Sequence, residues 1–96
     1  MSSTRELGQE DFARALRAAE HRRLRRGVFA TPADICNLRK YLRLTQTQFS
    51  QAMGISVHTL RNWEQGRRFP EGPALALLRI AARHPRILRE SLKSAA

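Results

Sequence analysis

The sequence predicts an all-α protein: a five-helix domain over residues 31–96, behind an arm, residues 1–30, that is flexible or helical. Three observations carry that expectation. Apolar residues recur at three- and four-residue spacing, with no strand-like alternation. Cap residues and prolines cut the chain into segments of helical length. A chain of 96 residues allows one domain plus an arm, and a core of that size is marginal alone, so dimerisation would help it.

The elements follow in order. The arm opens on polar SSTRELGQED, expected to be disordered, and continues into DFARALRAAEHRRLRRG, which has strong helix formers and no proline. Asp11 suits an N-cap or first turn, and the closing RRLRRG puts cations where the helix dipole favours them. Phe12, Ala15, Leu16 and Ala19 form a narrow apolar stripe that Leu24 extends. The stripe is alanine-rich, and an isolated helix of this length is marginal in water. Thr31-Pro32 is a cap followed by proline at the first helical position, so a helix is predicted over 32–43 with Ile35, Leu38, Tyr41 and Leu42 inward. Thr45 caps a second helix, with Phe49, Ala52 and Met53 on one side, that ends at Gly54. Ser56 caps a third, on which Val57, Leu60 and Trp63 share a face. RRFPEGP is a loop bounded by Pro70 and Pro73. ALALLRIAAR is apolar around most of its circumference, which predicts burial on several sides, in the core or partly in a dimer interface. Pro85 opens the last helix, over 85–92, with Ile87, Leu88 and Leu92.

Eighteen Lys and Arg against eight Asp and Glu give a net charge of +10, and sixteen of the bases are Arg. That balance at this size points to a phosphate-bearing partner. Arg over Lys favours bidentate contacts to phosphate or guanine. The single Cys36 excludes an internal disulfide framework, suits a reducing cytoplasm and, with no His–Asp pattern beside it, reads as inert. No apolar run approaches the ~18 residues of a membrane span. No apolar h-region of a secretion signal occurs either, so a cytoplasmic location is expected. Nothing supports an enzyme: there is no glycine-rich phosphate loop and no Cys/His cluster at metal-ligand spacing, so neither cofactor nor metal is expected.

The most informative stretch is TQTQFSQAMGISVHTLRNWEQG, residues 45–66. Small Ser50 and Ala52 let two helices approach closely, and Gly54 supplies the positive φ of the turn. The outer arc of the second helix carries His58, Asn62 and Gln65, with Thr59 and Arg61 at its edges. Hydrogen-bonding side chains on an apolar-backed helix are what reading a DNA major groove requires. His58, Thr59, Arg61 and Asn62 are therefore the base-contact candidates. Arg61 suits guanine and Asn62 adenine, although Arg61 could grip phosphate instead. Trp63 lies on the buried arc and reads as core. Glu64 sits near a helix C-terminus, where the dipole disfavours an acid, so it needs a cationic partner; Arg39 or Lys40 is expected.

Thr45-Gln46-x-x-Phe49 with Ser56-x-x-Thr59-Leu60-x-x-Trp63-Glu64-x-Gly66 resembles the Xre/Cro-type, lambda-repressor-like helix-turn-helix family of five-helix domains. NWEQGRRFPEGPALALLRIAARHP narrows the likeness to HigA-type antitoxins, including NadS-like ones, and to the C-terminal half of MqsA-type antitoxins. The resemblance covers residues 31–92. It implies a repressor of its own operon that neutralises a RelE/HigB-like ribosome-dependent RNase toxin. Ser50 stands where the family usually has Ala, with size preserved. MqsA-type proteins also carry an N-terminal zinc domain, for which this chain lacks the cysteines, leaving the HigA-like group. Gln46, at a helix N-terminus, is placed for a phosphate contact as in the family, and Ser56 can cap its helix and touch phosphate too. Arg67 and Arg68 read as phosphate clamps, the alternative being a solvated loop pair.

The arm has two readings. RRLRR suits a tail that adds nonspecific DNA affinity. Phe12, Leu16, Leu24, Val28 and Phe29 suit a toxin-docking segment that folds on binding, which an acid-interleaved helix with apolar anchors favours. Leu77, Ile80, Ile87 and Leu92 are candidates for the contact of a homodimer on double-stranded operator DNA, unless all are core. The rival to the antitoxin reading is a stand-alone repressor with no toxin partner. A more distant one is a basic structural or RNA-binding helical protein.

Overall fold

The computed structural model describes the backbone of residues 8–95 and side chains through Ser91. Its described residues form six helices and no strand: α1 (Gln9–Arg26), α2 (Pro32–Tyr41), α3 (Gln46–Met53), α4 (Val57–Glu64), α5 (Pro73–Arg83) and α6 (Pro85–Ala95). The five helices expected beyond residue 30 are present. The sixth is the arm, which is a continuous helix of 18 residues docked on the rest.

Local chemistry sets most of the boundaries. Thr45 Oγ1 accepts the Gln48 amide at 3.1 Å while Gln48 Oε1 accepts the Thr45 amide at 2.9 Å, a reciprocal cap that starts α3. Gly54 ends α3 with φ 73°, left-handed backbone that costs glycine nothing. Ser56 Oγ then accepts the Thr59 amide at 3.0 Å and starts α4. One expected boundary moves. The helix predicted over 32–43 stops at Tyr41, because Arg43 takes φ 60° and turns the chain out of the helix. Tyr41, expected inward, is 53% exposed as a result of its place on the outer side of α2.

The core is one cluster drawn from every helix: Leu24, Phe29, Ile35, Leu38, Leu42, Phe49, Met53, Leu60, Trp63, Leu78, Ala81 and Leu88. Helix α1 packs on α2 and α5, α2 on α4, α3 on α4 and α6, and α5 on α6. Burial of α5 is one-sided. Leu78 and Ala81 face inward, but Leu77 and Ile80 are 44% and 45% exposed, so of the two placements the sequence allows, core or partly dimer interface, the fully central one is not taken up. Its inner side is already filled by α1 and α6.

Two members of the core, Leu24 and Phe29, belong to the arm. An ion pair fixes them in place. Arg23 Nε and Nη2 donate to the two oxygens of Asp34 at 3.0 and 3.1 Å, and the amides of Ala30 and Thr31 donate to Asp34 Oδ2 at 2.8 and 2.9 Å. One carboxylate thus caps α2, closes the α1–α2 loop and clamps α1. Among the described residues the N-terminal turns of α1 make no such ion pair with another helix. The radius of gyration of 15.5 Å exceeds the ~12.5 Å of a compact chain of this length.

Candidate nucleic-acid interface

Helices α3 and α4 meet at the Gly54–Ile55–Ser56 turn, with Leu60 and Trp63 of α4 buried and Val57 half-buried. This leaves one side of α4 to solvent. His58 and Arg61 are exposed there, and Thr59 and Asn62 are half-buried at its margins. The Thr59 hydroxyl is engaged with Ser56 Oγ at 2.9 Å, so His58 and Arg61 are the most open of the four base candidates. Beyond α4, the amides of Arg67 and Arg68 donate to the Asn62 carbonyl at 2.9 and 3.3 Å. That folds the loop back on the helix and places two exposed arginines at its C-terminal end. Neither forms an ion pair among the described residues. Gly66 brings this turn against α2: a Cβ there would lie 3.1 Å from Pro32 Cγ.

Beneath α4 runs a polar chain. Arg39 of α2 donates through Nε and Nη2 to Glu64 at 2.7 and 3.2 Å, and through Nη1 to the Leu44 carbonyl at 3.1 Å. Of the two partners expected for Glu64, Arg39 is the one that pairs with it, and Trp63 is core, as expected. Gln46 donates from Nε2 to Glu64 Oε1 at 3.1 Å and accepts at Oε1 from Arg61 Nε at 3.3 Å. The sequence placed Gln46 at a helix N-terminus facing phosphate. What it missed is this engagement of both ends of the amide, which depends on partners 15 and 18 residues away.

Two carboxylates are perturbed in the same way. Burial alone pushes Asp34 and Glu64 up. Hydrogen bonds and charge from Arg23 to Asp34, and from Arg39 to Glu64, outweigh it, aided by backbone amides at Asp34 and by Gln46 at Glu64. Both end below their ordinary values of 3.8 and 4.5. The unfolded chain therefore binds more protons as the solution is acidified. The stability these groups contribute is complete above about pH 4.5 and is lost as pH falls through their lowered folded values. Urea midpoints are expected to be flat from pH 7 to 5 and to drop below 4.5. Asp34→Asn should be less stable than the parent at pH 7, with the gap narrowing in acid.

The arm candidates separate. Phe12, Leu16 and Val28 are exposed, at 67%, 48% and 44%, whereas Leu24 and Phe29 are in the core and unavailable to a partner in this conformation. On the C-terminal helices, Leu77, Ile80 and Ile87 are exposed, and the side chain of Leu92 lies outside the described residues.

Residues 4–92 match the family model described as the antitoxin component of a bacterial toxin-antitoxin system, MqsA. The chain belongs to the MqsA antitoxin family. Its curated relatives include antitoxin HigA-2 of Vibrio cholerae serotype O1, 38% identical over 58 residues, which are 60% of this chain and 56% of that protein. Antitoxin MqsA of Escherichia coli K12 is 36% identical over 59 residues, 62% of this chain and 45% of that one. The chain spans about half the length of the curated relatives it matches. MqsA-family membership agrees with the non-enzymatic expectation. Among the described residues no three His, Cys, Asp or Glu converge, and Arg39 Nη2 donates to Cys36 Sγ at 3.7 Å. No described helix is long and apolar enough to cross a membrane.

Proposed function

We propose that this chain is the antitoxin of a type II toxin-antitoxin pair, neutralising a RelE/HigB-like RNase and repressing its own operon through a helix-turn-helix formed by α3 and α4. The observation that carries the DNA-binding half is α4, exposing His58 and Arg61 over a buried apolar face, flanked by the exposed Arg67 and Arg68. The net charge of +10 supplies attraction to the phosphate backbone. Arg61, Asn62, His58 and Thr59 would meet base edges, while Ser56, Arg67 and Arg68 would hold phosphates. A homodimer joined through the exposed Leu77, Ile80 and Ile87 would set two α4 helices about 34 Å apart, in successive major grooves. Phe12 and Leu16, one turn apart on the projecting part of α1, are the anchors offered to the toxin. The cytoplasm is the compartment this role requires.

The test separates the two partners. Arg61→Ala is expected to weaken binding to duplex DNA from the chain's own promoter by about 1–3 kcal/mol and to relax selectivity at one base pair. The pair Phe12→Asp and Leu16→Asp should leave that binding intact and abolish rescue of cells expressing the toxin. Rescue that survives both substitutions would remove α1 as the toxin-binding element, whereas a parent chain that rescues no cells would favour a repressor acting without a toxin.

A further inference from the structure

We propose that Gln46 is a positioning residue for base recognition, holding the Arg61 guanidinium ready for one base pair rather than serving chiefly as a phosphate contact. The inference rests on the DNA-binding reading of α4 and deepens it. It follows from the order of donors and acceptors along Arg39–Glu64–Gln46–Arg61. Arg39 has only donors, and two of them occupy Glu64. Glu64 has only acceptors, so whatever reaches Oε1 from α3 must donate. Arg61 has only donors, so whatever meets its Nε must accept. An amide donates at one end and accepts at the other, and Gln46 meets both demands at 3.1 and 3.3 Å. The same logic determines which end of the amide is which, since the reverse orientation would aim its oxygen at a carboxylate and its NH2 at a guanidinium.

The consequence falls on Arg61. Its Nε is taken by Gln46, and neither terminal nitrogen has a hydrogen-bond partner among the described residues. A guanidinium held at Nε with its terminal nitrogens free is prepared for a planar two-point acceptor such as guanine O6 and N7. A flexible arginine would have to give up rotamer freedom on binding, whereas this one has surrendered part of it beforehand. At the other end, Arg39 also donates to the Leu44 carbonyl, so the chain is anchored to the α2–α3 loop.

The experiment selects binding sites from a randomised duplex library with the full chain and with Gln46→Met, Arg61→Lys and the double variant. Met keeps the size of Gln46 and removes both polar ends; Lys keeps the charge of Arg61 and removes the fork. Gln46→Met is expected to lose about tenfold in preference at the base pair that Arg61→Lys also relaxes, with affinity for random duplex changed by less than about twofold. The double variant should be no less selective than Arg61→Lys alone, since Gln46 acts through Arg61. A wild-type motif that persists unchanged in Gln46→Met, or a uniform loss over all sequences, overturns the positioning role. A wild-type chain that enriches no motif overturns the DNA-binding reading and this proposal with it. Thermal midpoints within a few degrees of the parent exclude misfolding as the cause of any loss.

Discussion

Deleting residues 1–30 is expected to unfold the remaining chain, although the sequence divides at that point into an arm and a domain. Leu24 and Phe29 go with the arm, and both are core residues, 8% exposed. Truncating single side chains of these kinds to Ala costs about 2–5 kcal/mol each. Deletion also strips Arg23 and the Ala30 amide from Asp34, a carboxylate only 2% exposed, and an orphaned buried charge costs about 3–5 kcal/mol more. Together these approach the whole stability of a small domain, about 5–15 kcal/mol. Thermal unfolding followed by far-UV circular dichroism should show the fragment 31–96 without a cooperative transition at 25 °C, or with a midpoint at least about 20 °C lower. Deleting only residues 1–16 should change stability by less than about 1 kcal/mol, because Phe12 and Leu16 are exposed and the Arg23–Asp34 pair stays. A fragment 31–96 that melts like the full chain would disprove the structural role of the arm.

Arg39→Met is the second substitution with a large expected effect. It leaves Glu64, whose side chain is 8% exposed, without its guanidinium partner and with the neutral Gln46 amide at 3.1 Å. A cost of about 3–5 kcal/mol is expected, read from urea denaturation at pH 7. Adding Glu64→Leu should recover most of that loss, since replacing a buried pair with apolar side chains is often neutral or favourable. If the double variant proves as unstable as Arg39→Met, the cost lies in the Leu44 contact and the packing of the arginine stem. Low pH distinguishes these cases too: protonating Glu64 should narrow the gap between Arg39→Met and the parent.

Most of the fold was legible because its signals are local. Thr45, Gly54 and Ser56 delimit α3 and α4 through contacts within five residues, and Pro32 and Pro85 begin their helices by the same short-range rules. The pairing of Glu64 was also readable, since an acid at a helix C-terminus calls for a cation. What escaped is non-local. An alanine-rich stripe on α1 does not reveal that Leu24 and Phe29 complete the core, because the surface receiving them comes from other helices. An α5 that is apolar around most of its circumference does not reveal which side is left uncovered. Gln46 shows the same limit: its position at a helix start suggested phosphate, while its hydrogen bonds reach Arg61 and Glu64.

The alternation of donors and acceptors from Arg39 to Arg61 also constrains how this surface can diverge. Change Glu64 to an apolar or basic residue, and the Gln46 NH2 and the Arg39 guanidinium lose the acceptor they share. Replace Arg61 with an acid, and it would face the carbonyl oxygen of Gln46 until that amide turned over, which Glu64 opposes. New base preferences are therefore expected to arise through paired replacements at positions 46 and 61, with 39 and 64 changing together or not at all. Among related chains, that prediction takes the form of linked variation between α3 and α4, at sites far apart in sequence and one hydrogen bond apart in space.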